Sequence, residues 1–227
     1  MVRAIKNILR NIYFLVKTAA RNEQVYWSYI GSSIVDCDIH EKTKIYKFHS
    51  ISYSSIGKGT YISQNARITN TRIGKFCSIG PNLLCGWGIH PIDGISTSPV
   101  FYSTHKPVGF TYSKENKVVE KSPISIGNDV FIGANVTILD GISIGDGAVI
   151  GAGAVVSKDI PPYAVAVGCP IKITKYRFTP DVIQQLLEFK WWDADEETLK
   201  KVERHFFDVE TFLQREFQST HKAGQTR

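Results

Sequence analysis

Four cysteines are scattered over 227 residues (Cys37, Cys77, Cys85 and Cys169), with no C-x-x-C pair and no framework spacing. That excludes a disulfide scaffold and a paired-cysteine metal site; packed thiols in a reducing cytoplasm are expected. No apolar run approaches the roughly 20 residues needed to span a bilayer, and no secretory leader pattern is visible. A nucleotide-binding strand–glycine-loop–helix unit is also missing. Charge of neither sign dominates: 27 Lys and Arg against 21 Asp and Glu leave a net +6, with the basic residues gathered near both ends. Such an excess suits anionic small ligands or an acidic surface. With no base-reading motif beside it, no nucleic-acid partner is expected.

What is present is a strict period of six. Ile126, Ile132, Ile138, Ile144, Ile150 and Val156 follow one another at that interval, and Gly127, Gly133, Gly145 and Gly151 each follow one of them. Val130, Val136, Ile142, Ala148 and Ala154 recur two residues earlier. Neither a helix nor a flat strand has this period. A short strand with two inward side chains, followed by a corner of Gly, Asn or Asp, does produce it. Three such units close one triangular coil, and stacked coils bury a continuous core. The beat recurs upstream at Ile39, Ile45 and Ile51, then Ile56, Ile62 and Ile68, then Ile73, Ile79 and Cys85, with one corner per coil a residue shorter. Residues 86–123 lack the beat and read as a long excursion loop, the kind that carries function.

The chain therefore divides into a basic amphipathic helix (1–24), a β-helix domain (28–177) containing the excursion (86–123), a C-terminal helical cap (178–217) and a flexible tail (218–227). In the first segment Ile5, Ile8, Leu9, Ile12, Tyr13 and Val16 share a helical face, with Arg3, Lys6, Arg10, Lys17 and Arg21 elsewhere. Such a segment either caps the open first coil or gives residues 1–21 a peripheral contact with an acidic inner-membrane surface. Thr179-Pro180 starts a helix, and a second is expected from about Asp193 to Phe217. These helices are expected to seal the last coil.

The loop reads Cys85-Gly-Trp-Gly-Ile-His90-Pro-Ile-Asp93, then Ser96-Thr97-Ser-Pro99, and the far end of the chain adds Tyr176-Arg177-Phe178 and Trp191-Trp192-Asp193. With the repeat, these segments resemble the hexapeptide-repeat acyltransferases, and within them the xenobiotic acetyltransferase branch. The resemblance implies a mainly β fold, a left-handed parallel β-helix solenoid with flanking N- and C-terminal α-helices. It also implies an acetyl-CoA-dependent acyltransferase with His90 as general base. The chemistry agrees: a hydroxyl attacking a thioester needs a base whose pKa lies near neutrality, and a neutral imidazole serves. His105 is a rival in the same loop. His40, His49, His205 and His221 lie in early coils or in the helical tail.

An acceptor at the second ring nitrogen would fix the tautomer of His90; a backbone carbonyl or a carboxylate would do. Asp93 has three open roles: holding His90, binding an acceptor hydroxyl, or capping a turn. Trp87, Phe101 and Tyr102 are candidates for an apolar wall around the acceptor or for packing within the loop, and His105 for substrate contact. The resemblance further places the pantetheine arm or the adenine end of coenzyme A against Ala134, Ala152, Ser157 and Lys158, and its phosphates near Lys172 and Lys175. Small corner residues alone account for the two alanines equally well. Homotrimers with sites between subunits are implied too, and outward residues such as Phe76 and Phe131 would be covered in one. No metal is expected. A β-helical carbonic anhydrase would need a third histidine at coil spacing, and a non-catalytic binding module would not need the loop motif. Gly88-Ile89 precede His90 where the drug-modifying enzymes commonly have an asparagine, and residues 100–122 are rich in Lys, Ser and Glu. These departures favour a sugar hydroxyl of a surface polysaccharide or its precursor over an antibiotic.

Overall fold

The computed structural model describes residues 32–224, with side chains in the last helix described up to residue 216; the expected N-terminal helix and its lipid contact lie outside the described residues. From residue 33 the chain winds as a three-sided prism. Sheet A stacks β1 (Ser33–Val35), β4 (His49–Ser52), β7 (Ala66–Thr69), β10 (Leu84–Cys85), β13 (Thr137–Ile138) and β16 (Val155–Val156). Sheet B stacks β2 (Asp38–Ile39), β5 (Ser55–Ile56), β8 (Thr71–Ile73), β11 (Ile124–Ile126) and β14 (Ser143–Ile144), and a bridge from Ile144 to Ile160 adds a last rung. Sheet C stacks β3 (Lys44–Ile45), β6 (Tyr61–Ile62), β9 (Ser78–Ile79), β12 (Phe131–Ile132), β15 (Val149–Ile150) and β17 (Ala164–Val167), then β18 (Lys172–Tyr176), which alone runs antiparallel to its neighbour.

The register explains the period. Ile51 pairs with Ile68, Ile68 with Cys85, Cys85 with Ile138 and Ile138 with Val156, so each inward side chain lies over the one a coil below. All of these are essentially inaccessible, as are Val130, Val136, Ala148 and Ala154 at the second inward position. Each buried aliphatic contributes about 1.5–3 kcal/mol relative to exposure. Corners require left-handed backbone, and one edge meets this with an asparagine ladder. Asn65, Asn82 and Asn135 all have positive φ, and Nδ2 of Asn65 donates to Asn82 (3.0 Å) and that of Asn82 to Asn135 (2.8 Å).

The excursion leaves after β10 and returns at β11, on the edge between sheets A and B. Pairing continues across it: β10 bonds to β7 and β13, and β11 to β8 and β14. The two blocks that flank the loop in sequence are one uninterrupted stack in space.

The C-terminal segment packs on the last coil and then continues past it. α1 (Pro180–Phe189) buries Leu186 in one cluster with Tyr163 of the last coil, and a single turn at Trp191–Asp193, α2 (Glu196–Arg204) and α3 (Val209–Gly224) follow. They run back along the edge between sheets B and C. Arg177 donates to Asp129 Oδ2 and to the Gly147 carbonyl, both at 2.8 Å. Lys75 reaches Asp193 at 2.8 Å and Lys58 reaches Glu196 at 2.9 Å, so the strap passes successively earlier coils. The cause is local: that edge offers a lysine in consecutive coils and the Phe76 ring, 5.3 Å from Trp191. Phe76 is therefore partly covered within its own chain, whereas Phe131 stays 45% exposed. The single helix expected from Asp193 to Phe217 is two, because Asp208 accepts from the Thr211 amide at the start of α3 and breaks the run. α3 continues to Gly224, since no Gly or Pro stops it between residues 218 and 223.

Candidate active site

The excursion begins under constraint. Gly86 has φ +65°, and a Cβ there would lie 2.8 Å from the Thr69 carbonyl oxygen, so only glycine makes this exit without strain. The amides of Trp87 and Gly88 both donate to Asp140 Oδ2 at 2.9 Å, and the Ser122 amide reaches Oδ1 at 3.3 Å. One carboxylate on the next coil thus pins both feet of the loop. Just beyond, the Ile89 amide donates to the Glu120 carbonyl at 2.8 Å, closing the two limbs on each other.

His90 follows immediately and is exposed at the surface of the loop. Its Nδ1 lies 2.9 Å from the Thr97 carbonyl oxygen and 2.8 Å from the Tyr102 hydroxyl. The groups at the second nitrogen are therefore a backbone carbonyl and a phenol, not Asp93. Asp93 is exposed, between Ile92 and Ile95, which are open to solvent. The Ser-Thr-x-Pro segment has a structural purpose here: the Ser98 amide donates to Ser96 Oγ at 3.1 Å, and Pro99–Phe101 forms one tight turn. That turn delivers Tyr102 into the loop's interior.

Tyr102 is 4% exposed, which is packing within the loop, the second of the two roles open to it, and not an open wall. Its chain carbonyl accepts from the Lys117 amide, and burial pushes its phenol pKa up, with the Glu120 carboxylate adding to the shift. Trp87 and Phe101 remain about half exposed, and Phe101 stacks on Tyr112 with centroids 5.7 Å apart. His105 does not join His90; its Nε2 sits 3.9 Å from Glu120 Oε1, an oxygen that is buried without a hydrogen-bond partner.

Of the residues expected at the donor, Ala134 and Ala152 share the edge between sheets C and A on adjacent coils. A Cβ on Gly133 would come within 2.6 Å of the Ala152 nitrogen, so the corner leaves no room for larger residues. Ser157 and Lys158 stand exposed after β16, on the edge from which the loop departs two levels below. Lys172 and Lys175 are exposed along β18, opposite Val167 and Val165. Cys77 and Cys85 point into the core, where burial pushes both thiols up to about 12 and makes them inert. Cys169 is exposed, contrary to the packed position expected for all four. Among the described residues no three His, Cys, Asp or Glu side chains gather as a metal cluster.

Three features escaped sequence reasoning. Asp140 precedes a corner glycine and looks like any turn residue. The Thr97 carbonyl is backbone and leaves no residue-type signal. Glu120 lies in a stretch that reads only as charged loop.

Comparison with known proteins follows this geometry. The family described as "Hexapeptide repeat of succinyl-transferase" matches residues 123–158. A chloramphenicol acetyltransferase of Agrobacterium fabrum is 38% identical over 156 residues, covering 67% of this chain and 73% of the relative. The chain belongs to the hexapeptide-repeat acetyltransferases, in the branch that holds the chloramphenicol acetyltransferases. A chloramphenicol acetyltransferase of Klebsiella aerogenes is 41% identical over 132 residues, 56% of this chain and 61% of that one. The match to that relative thus spans less than two thirds of its length. A hexapeptide-repeat acetyltransferase of Vibrio cholerae, solved with acetyl-coenzyme A, shares the fold, with a TM-score of 0.50 and 24% identity over 64% of this chain and 73% of that one.

Proposed function

We propose that the protein transfers an acetyl group from acetyl-CoA directly to a hydroxyl, with His90 as the general base. The observation that carries this reading is the His90 geometry. With Nδ1 against the Thr97 carbonyl, the ring's hydrogen belongs on Nδ1 and the lone pair on Nε2 (the position a base needs). Nε2 takes the hydroxyl proton as the acceptor oxygen bonds to the thioester carbon. When the C–S bond breaks, that proton passes to the coenzyme A sulfur. A positioned base of this kind contributes about 10²–10⁴-fold.

The donor arm runs, in this reading, beside Ala134 and Ala152, whose small side chains expose backbone amides, while Ser157, Lys158, Lys172 and Lys175 meet the adenine end and the phosphates. Ala134 and Ala152 lie on a different edge of the prism from the loop that carries His90. That placement supports a homotrimer in which the loop of one subunit faces the donor edge of the next. Acetyl-CoA use supports action in the cytoplasm, with residues 1–21 as the candidate contact with the inner membrane.

The acceptor is a sugar hydroxyl of a surface polysaccharide or its precursor, a reading supported by the Lys, Ser and Glu content of residues 100–122 and by Gly88-Ile89 ahead of His90. A second acceptor, an antibiotic hydroxyl, is favoured by the names of the relatives from Agrobacterium and Klebsiella. Free-thiol release from acetyl-CoA, run over oligosaccharides, sugar nucleotides and chloramphenicol, separates the two. The expected result is release with a sugar acceptor that falls at least 10²-fold in His90→Ala. Release undiminished by that substitution would refute the assigned base.

A further inference from the structure

Resting on His90 as the base, we propose that Tyr102 is a positioning residue whose phenol oxygen accepts, together with the Thr97 carbonyl, the hydrogen on His90 Nδ1. Two oxygens lie within hydrogen-bond reach of that one nitrogen, at 2.8 and 2.9 Å. They are not equivalent. A carbonyl only accepts, whereas a phenol donates or accepts.

Were Tyr102 the donor, Nδ1 would present a lone pair to the phenol, and the Thr97 oxygen would face that same lone pair at 2.9 Å. Two electron-rich atoms would then be held in contact without a hydrogen between them. Nε2 would carry the ring hydrogen and have nothing with which to take a proton. With the hydrogen on Nδ1 both oxygens accept from one shared donor, and Nε2 is free. As His90 becomes imidazolium during proton transfer, the Nδ1 hydrogen grows more positive and both contacts strengthen. Tyr102 therefore acts on the transition state through His90, without touching the substrate.

The phenol is built to stay in place. Tyr102 is buried, its ring meets the imidazole edge-on at 87° with centroids 6.2 Å apart, and its backbone is bonded on both sides, to the Pro99 carbonyl and from the Lys117 amide. The charged and titratable groups facing this cluster from the rest of the loop are Glu120 and, beyond it, His105. Neither is within hydrogen-bond distance of Nδ1, so the two oxygens decide the tautomer.

The experiment has one arm that needs no turnover. Nitrogen NMR of histidine-labelled protein, with His90 assigned by its loss in His90→Gln, reads the tautomer in the unmodified chain. The expected signal is the Nδ1–H form; the Nε2–H form would overturn the proposal. The second arm is Tyr102→Phe, which keeps the ring and removes the oxygen. We expect an unchanged melting temperature, kcat lower by about tenfold, as for one lost hydrogen bond to a charged group, and an unchanged KM for acetyl-CoA. An unchanged kcat would also overturn it, as would a loss of activity that merely tracks lost folded protein. If Tyr102→Phe does not fold, the tautomer alone decides. Full activity in His90→Ala would instead sink the base assignment and leave the tautomer measurement to judge the Tyr102 contact separately.

Discussion

Replacing Asp140 with alanine removes three acceptor contacts at once and leaves the amides of Trp87, Gly88 and Ser122 without their carboxylate. Two of those contacts are 2.9 Å and charge-assisted; the third, at 3.3 Å, is weak. Asp140 is half-buried, so each short bond is taken near the lower end of the range for charged partners, about 1–1.5 kcal/mol. Together they hold the feet of the excursion by about 2–3 kcal/mol. That energy resists local opening of residues 86–123 rather than global unfolding, because coil pairing bypasses the loop. Hydrogen exchange of single amides is therefore the assay. At about 1.4 kcal/mol per factor of ten, the amides of Trp87, Gly88 and Ile89 should exchange roughly 30- to 100-fold faster in Asp140→Ala. Those of Ile132 and Ile138 should keep their protection. His90 sits two residues past Gly88, so kcat should fall with the loop's order, and Asp140→Asn, which keeps one acceptor oxygen, should lie between. Unchanged exchange at Trp87 and Gly88 would refute the pinning role, and equal acceleration in the coils would show that Asp140 supports the solenoid instead.

Other perturbations test separate parts of the fold. Gly86→Ala should lower stability by about 1–3 kcal/mol in thermal unfolding, because a side chain there is both at positive φ and 2.8 Å from the Thr69 carbonyl; an unchanged melting temperature would mean the exit rearranges freely. Along the strap, Trp191→Ala should cost about 2 kcal/mol through lost packing on Phe76, while Glu196→Gln, at an exposed pair with Lys58, should leave the melting temperature unchanged. Asp129 gives a pH test. Burial raises its pKa above the ordinary carboxylate value despite Arg177, so the folded state holds the proton more tightly than the unfolded chain does. Its stabilising effect is present below the unfolded value and is lost as pH rises through the raised folded value. The melting temperature of Asp129→Asn, measured against the unaltered protein, should therefore climb as pH rises from below 4 to neutral, and a difference that falls would contradict the assignment.

The solenoid was readable because its determinants are local and repeated. Ile126 through Val156 mark inward positions at a fixed interval, and parallel stacking turns that interval directly into register. The excursion showed up as the place where the beat stops. The strap's path along earlier coils was not legible because it depends on pairs far apart in sequence, Lys58 with Glu196 and Lys75 with Asp193, whose residue types suit any solvated surface. Within the site, His90 carried a residue-type signal and its partners did not. A carbonyl at Thr97 is invisible to any reading of side chains, and a tyrosine beside aromatic loop residues looks like packing until its hydroxyl is placed.

Why the proposed base sits on the excursion follows from the same geometry. A coil offers corners where some positions admit no side chain at all, as at Gly133 under Ala152, and strand faces whose outward residues are fixed a coil apart. A base needs a ring nitrogen held by an acceptor while its other nitrogen faces outward, a short-range arrangement that no strand-and-corner unit supplies. Inserting it requires chain that is released from the register yet still anchored. Inserting that chain between β10 and β11 costs the stack no pairing, because both strands keep their neighbours above and below. Closing the loop costs entropy that grows only by about 0.6 kcal/mol per doubling of length. Contacts at Asp140 of the magnitude argued above are enough to offset much of that growth, so a long loop and an unbroken solenoid are compatible. Loop length and content can then change without altering the stacked coils, provided Gly86 and Asp140 stay.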